Sequence, residues 1–221
     1  MKWPYPVFRT RPFRVLLALA ATVTLLWFGR HFVLTSAGRL LVAEDTVEPV
    51  EMIIASDANL LGNTLEAAHL YHDGVSTRIV LPVLASNSVA EEIRRLGGSG
   101  WSPTDSAAWL LDRSGVRESS IQILPGVVDG SDSEIVAVAA FARQQKPNSL
   151  LYITARTHTA RARRLLRSQL PPGTRLLVRS PRTDDFAADS WWHSREQSRD
   201  VVMEYLRWVN SFVFGDLWAK Q

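Results

Sequence analysis

Five short apolar runs recur along the chain, and what separates them carries helical spacing or turn residues. The runs are Val50-Glu51-Met52-Ile53-Ile54-Ala55, Thr77 to Leu81, Ile121 to Leu124, Ser149 to Thr154 and Thr174 to Val178. They are mostly continuous rather than alternating, the pattern of strands covered on both faces. A strand followed by a helix and a second strand makes a parallel pair, because the return crossover needs a dozen residues or more. The expected fold class is therefore α/β: a doubly wound, mostly parallel five-stranded sheet with helices on both faces.

The intervening segments supply those helices. Leu61, Leu65, Ala68 and His72 share one face of a helix stopped at Gly74. Ala90 to Leu96 reads as a short helix closed by Gly97-Gly98. Ser102-Pro103-Thr104-Asp105 is a helix start, with a Ser cap, Pro at the first position and an acidic first turn. Ser131 or Asp132 is expected to cap a helix to Gln145, with Ile135, Val138, Ala139 and Ala142 inward. Thr157 to Gln169 is an arginine-rich helix. In a last helix from Ser194 to about Phe214, Val201, Val202, Tyr205, Leu206, Val209, Phe212 and Val213 are expected against the sheet. Arg199, Glu204 and Arg207 are then expected in water.

Charge is distributed unevenly. The 221 residues carry a net charge of +3, yet residues 1–40 hold six basic residues and no acidic one, leaving 19 basic against 22 acidic beyond them. Val15 to Gly29 has no charge, and carrying that helix through Leu34 reaches about 30 Å, the thickness of a hydrocarbon core. Arg9, Arg11 and Arg14 precede it, and Trp27, Phe28 and Phe32 suit an aromatic belt, so the N-terminus is expected inside and the bulk outside. Two alternatives stand beside a retained anchor: a signal peptide cleaved near Thr35-Ser36-Ala37, and a buried core helix. Cysteine is absent, which excludes a disulfide framework, thiolate metal sites and a cysteine nucleophile.

In an open α/β sheet ligands lie beyond the carboxyl ends of the strands. That nominates the loops Ser56–Asn59, Val83–Asn87, Gly126–Glu134 and Ala155–His158. His158, in the first turn after strand four, and Arg161, three residues on, can form an anion pocket with free helix NH groups. Equally, His158 can be a packed residue and the arginines a solvated face. Eight arginines and no acidic residue lie between Arg156 and Arg182, whereas Glu44 to Glu134 holds fifteen acidic against five basic residues. Such polarity serves either a phosphate-bearing ligand or the mutual pairing of the two halves. Nucleic acid fits poorly, for lack of lysine and interleaved aromatics. Ala55-Ser56-Asp57-Ala58-Asn59 stands where a dinucleotide-binding GxGxxG would be, which excludes an ordinary dinucleotide fingerprint and leaves any cofactor unknown. His69 and His72 share a face with Asp73 without an evident third ligand, so no metal site is expected.

Several stretches resemble the YdcF/SanA/ElyC-like family of bacterial proteins: Thr64 to Gly74, Ser114-Gly115-Val116 with Ile121 to Pro125 and Ser131 to Glu134, Trp191-Trp192 with the helix after it, and above all Ile153-Thr154-Ala155-Arg156-Thr157-His158-Thr159-Ala160-Arg161-Ala162. The resemblance covers about residues 50–212. It implies a Rossmann-like domain, often membrane-tethered, in bacterial envelope and peptidoglycan biogenesis, without an agreed reaction. The organisation expected is a cytoplasmic basic end (1–14), a transmembrane anchor in the bilayer of the inner membrane (15–34), a linker (35–49), an extracytoplasmic α/β domain (50–214) and a tail (215–221). The expected ligand is a small anionic, phosphorylated envelope metabolite. His158 and Asp57 would be the acid/base pair, with Arg156, Arg161, Ser56 and Ser131 binding the anion. The alternative is a non-catalytic envelope interaction factor with a degenerate pocket.

Overall fold

A computed structural model describes residues 11–85, 92, 93, 95, 96 and 102–213. Its five strands are β1 (Met52–Ala55), β2 (Ile79–Leu84), β3 (Ile121–Val128), β4 (Ser149–Ile153) and β5 (Arg175–Arg179). They pair in the order β3-β2-β1-β4-β5 with every pair parallel. The helices are α1 (Arg11–Leu40), α2 (Leu60–His72), α3 (Pro103–Arg113), α4 (Ser131–Gln145), α5 (Thr159–Gln169) and α6 (Arg195–Val213). This is a Rossmann-like α/β fold whose strand order reverses between β1 and β4. The expected helix Ala90–Leu96 with Gly97-Gly98, the loop end at Asn87 and the tail 215–221 lie wholly or largely outside the described residues.

Strand alternation divides the core in two. Ile53 and Ala55 of β1 face α2 and α3 with Ile79, Leu81, Ala107, Leu111 and Leu151. Met52 and Ile54 face α4 and α5 with Val80, Ile135, Val138, Leu150, Tyr152 and Leu166. Each fully buried aliphatic side chain contributes about 1.5–3 kcal/mol, so these two layers hold the sheet between its helices.

Three local expectations need correction. β2 does not end at Pro82 but runs to Leu84. The missing Pro82 amide is tolerated because β1 pairs with β2 only at Ile79 and Val80, and the register with β3 shifts between Leu81 and Val83. β3 likewise passes its expected end at Leu124, an extension open to an edge strand. Gly126 takes φ +89° within it. On α2 the buried residues are Leu60, Asn63, Thr64, Glu66, Ala67, Ala68 and Leu70, while Leu61 and His72 are exposed. His72 instead donates from Nε2 to the Ser114 carbonyl at 2.7 Å, tying α2 to the end of α3.

The last helix turns Val201 and Tyr205 inward as expected, but not the rest of the expected set. Val201 and Glu204 are buried, whereas Val202, Leu206 and Val209 are each more than half exposed. The inward stripe is 201, 204, 205 and 208, and it meets the end of α1 rather than the sheet: Leu41, Phe186, Trp191 and Val201 form a third apolar cluster, with Leu34, Ala37, Tyr205 and Trp208 against it. The Tyr205 hydroxyl donates to the Ala37 carbonyl at 2.7 Å and Trp191 Nε1 to that of Leu34 at 2.9 Å. A Cβ on Gly38 would come within 2.5 Å of the Ala188 carbonyl oxygen, so the approach here needs glycine. The side chains of Phe212 and Val213 lie outside the described residues.

Residues 35–49, expected as a linker, are therefore tied to the domain. Helix α1 continues to Leu40, and beyond it the Asp45 amide donates to the Val178 carbonyl at 2.8 Å. No single described helix is long and apolar enough to cross a membrane; Pro12–Thr24 and Trp27–Leu40, bent by 41°, meet that requirement together by length and composition alone. The upper part of α1 is apolar and exposed, with Phe28 and Phe32 both at 77%.

Candidate ligand cleft at the carboxyl edge of the sheet

The loops after β1, β3 and β4 converge on a cleft of about 620 Å³, lined by Asp57, Asn59, Gly130, Ser131, His158 and Arg207 among others. The convergence follows from topology, since the gap between β1 and β4 opens where successive crossovers leave in opposite directions. The β1 loop is fixed by Asn63, whose Nδ2 donates to the Ser56 and Ala58 carbonyls. Asn59 takes φ 63° and ψ 50° to start α2. Neither Ser131 nor Asp132 caps α4; Gly130 occupies that position without a side-chain bond, and Ser133 Oγ accepts the Asp129 amide at 3.1 Å. The N-terminal turn of α4 thus borders the cleft.

Not every expected site residue reaches it. Asp57, Ser131, His158 and Arg161 are on its wall, but Ser56 and Arg156 are not. Ser56 is fully buried and donates from Oγ to Thr154 Oγ1 at 3.2 Å. Arg156 turns away, donating from Nη1 to the Phe186 carbonyl at 3.2 Å, with Glu44 at 3.5 Å from its Nε. Neither side chain, both expected to bind the anion, faces this cleft.

Arg161 lines the wall without offering a free charge. Its Nε donates to Glu204 Oε1 at 2.6 Å and its Nη1 to Asp132 Oδ1 at 2.5 Å. Burial opposes the Arg161 charge, yet Glu204 and Asp132 outweigh it and the guanidinium titrates above its ordinary value. His158 precedes α5 at the end of a short 3-10 turn, Arg156–His158. Its Nε2 accepts from Arg207 Nη1 at 3.0 Å, and Nδ1 lies 3.1 Å from Thr157 Oγ1. Those partners assign a neutral imidazole carrying its proton on Nδ1, so its 3.4 Å approach to Glu204 is not an ion pair. Burial, and then the charges of Arg161 and Arg207, lower its pKa from 6.5 to about 3. A group of this kind accepts or positions; it does not supply a proton at neutral pH.

Arg163, Arg175 and Arg182 are engaged with the acidic half of the chain. Arg163 reaches Asp45 at 2.5 Å, Arg182 reaches Glu66 at 2.9 Å, and Arg175 pairs with Glu48. The charge polarity of the sequence is thus expressed as pairing within the domain.

Two site residues carried no clear signal in the sequence. Glu134, fully buried, accepts the Asp57 amide on Oε2 at 3.0 Å. Burial first, then hydrogen bonding to and repulsion from Asp57, push it well above the usual carboxylate range. Glu204 is the other. Each is a carboxylate on an otherwise apolar helical stripe, Glu134 with Val138 and Ala142, Glu204 with Val201, Tyr205 and Trp208, and that mismatch was the available signal. The cleft rim is acidic, with Asp129, Asp132 and Asp200 around the opening. An adjoining cleft of about 360 Å³ adds Asp184, Asp185 and Glu196.

No family model and no curated protein matches the chain. Among solved structures, it is similar to the reductase domain of the aureusimine biosynthetic cluster, at 14% identity and a TM-score of 0.24, over 59% of this chain and 40% of that one.

Proposed function

We propose that this protein is a bilayer-tethered, extracytoplasmic Rossmann-like domain that binds a small envelope metabolite in the cleft between β1 and β4. Its tether is residues 15–34, and its setting is the bacterial inner membrane, as the resemblance to the YdcF/SanA/ElyC-like family implies. The observation that carries the reading is the convergence of Asp57, Ser131, His158 and Arg207 from separate loops and helices on one cleft. An anionic group on the ligand is best received by the amides at the start of α4, beside Arg207, which is half-exposed although it also reaches Glu204 at 3.4 Å. The remainder has to face Asp129 and Asp200, which repel further negative charge and favour hydroxyl or amine groups. Asp57 is the group placed to exchange a proton with it.

The test is a thermal-shift series on the full-length chain in detergent, with inorganic phosphate, a hexose phosphate, a hexosamine phosphate and the uncharged hexose. A ligand at a hundred times its Kd stabilises by about 2.7 kcal/mol. The hexosamine phosphate should act most strongly, and no response to any probe would overturn the reading. A second reading then stands, a non-catalytic envelope interaction factor. The observation favouring it is that His158 and Arg161 are both engaged by residues of α6.

A further inference from the structure

Beneath the cleft, two carboxyl groups meet without a cation between them. Glu134 lies in the first turn of α4 with no exposure, and Asp57 follows β1. One bond between them is fixed, from the Asp57 amide to Glu134 Oε2 at 3.0 Å. Glu134 Oε1 and Asp57 Oδ1 are both buried and lack a hydrogen-bond partner.

The groups facing this pair from the surrounding elements do not neutralise it. Arg161, from α5, is bonded to Asp132 and Glu204. Asn63, from α2, directs its amide to the Ser56 and Ala58 carbonyls. Tyr152, from β4, is fully buried and held protonated by that burial, and its hydroxyl hydrogen-bonds Glu134 without bringing a charge. Two ionised carboxylates would set two like charges side by side, with Glu134 cut off from water, which is costly. A single proton removes both problems, giving one carboxyl a donor and the other a partner. The helix dipole at the start of α4 favours keeping the one remaining negative charge there.

We propose that the buried Glu134 carboxyl keeps its proton at neutral pH and holds it toward the Asp57 carboxylate, which makes Glu134 a positioning residue for the Asp57 carboxyl that faces the occupant of the cleft. This deepens the ligand-cleft reading and rests on it for its purpose, but the proton itself is measurable without any ligand, so the two fail separately.

The experiment is an infrared pH titration of the carboxyl bands of the full-length chain in detergent micelles, for the wild type, Glu134→Gln and Asp57→Asn. A protonated carboxyl should be present at pH 7 in the wild type and absent in Glu134→Gln. In Asp57→Asn the repulsion is gone, so Glu134 should release its proton about one pH unit or more lower. That shift is one a purely structural role for Glu134 would not produce. A wild type with no protonated carboxyl at pH 7, or a titration unchanged by Asp57→Asn, overturns the proposal. Should Glu134→Gln fail to fold, the other two titrations still decide it.

Discussion

Arg161 of α5 and Glu204 of α6 are bonded at 2.6 Å with their side chains 1% and 0% exposed. Burial pushes the Glu204 carboxyl up, and it is the charges and hydrogen bonds of Arg161 and Arg207 that pull against this. Such a pair orients two helices more than it stabilises them, because desolvation offsets most of the attraction. Through it the last helix, and with it the end of α1, is set against the wall of the cleft.

Removing one partner should therefore cost much more than removing both. Glu204→Leu or Arg161→Met alone should destabilise by about 3–5 kcal/mol, while the two together should recover most of that loss. Denaturant unfolding of the four proteins in the same detergent measures the coupling.

His158 should make the protein less stable on mild acidification. Its folded pKa, about 3, is below the unfolded value of 6.5, so between these the unfolded chain binds a proton that the folded one does not. The stability linked to His158 is complete above pH 6.5 and falls by up to about 1.4 kcal/mol per pH unit toward pH 3. His158→Gln should flatten that slope in a series of unfolding curves across this window.

Glu134 should act in the opposite sense. Its folded pKa is raised, so the stability it contributes is present below its unfolded value and is lost as pH rises toward the folded one. Unfolding curves above pH 4.5 should show a falling component in the wild type that Glu134→Gln lacks.

The setting of α6 has a simple mutational signature. Leu206 is 56% exposed and Val201 only 2%, so Leu206→Ala should change stability by less than about 0.5 kcal/mol, and Val201→Ala should cost about 2 kcal/mol. Reversed magnitudes in chemical denaturation would put the other stripe inward.

Gly38→Val should detach α1 from the domain, since the Gly38 Cβ position lies 2.8 Å from Trp191 Cδ1 and 2.9 Å from Ala188 Cα. Loss of the indole bond to the Leu34 carbonyl should appear as a change in tryptophan emission, with easier proteolysis around residue 38.

The amino-acid sequence by itself determined the layering of this protein. Continuous apolar runs such as Met52–Ala55 cannot be half-exposed strands, and the helical spacing of Ile135, Val138, Ala139 and Ala142 admits one inward face, so a parallel sheet covered on both sides was legible. The capping box of α3, Ser102 with Asp105, was legible for the same reason, being contained within four residues. The choice between two stripes on α6 was not. Val202, Leu206 and Val209 recur as regularly as Val201, Tyr205 and Trp208, and hydrophobic spacing put members of both sets inward. The second faces inward because Glu204 lies on it and Arg161, 43 residues earlier in the chain, waits there. The cleft divides in the same way. Strand order placed Asp57, Ser131 and His158 at one edge, but whether Arg161 meets a ligand or a carboxylate depends on a pairing between residues distant in sequence. Local spacing carries no information about such a partner; only the packed tertiary structure, which withdraws these charges from water, decided it.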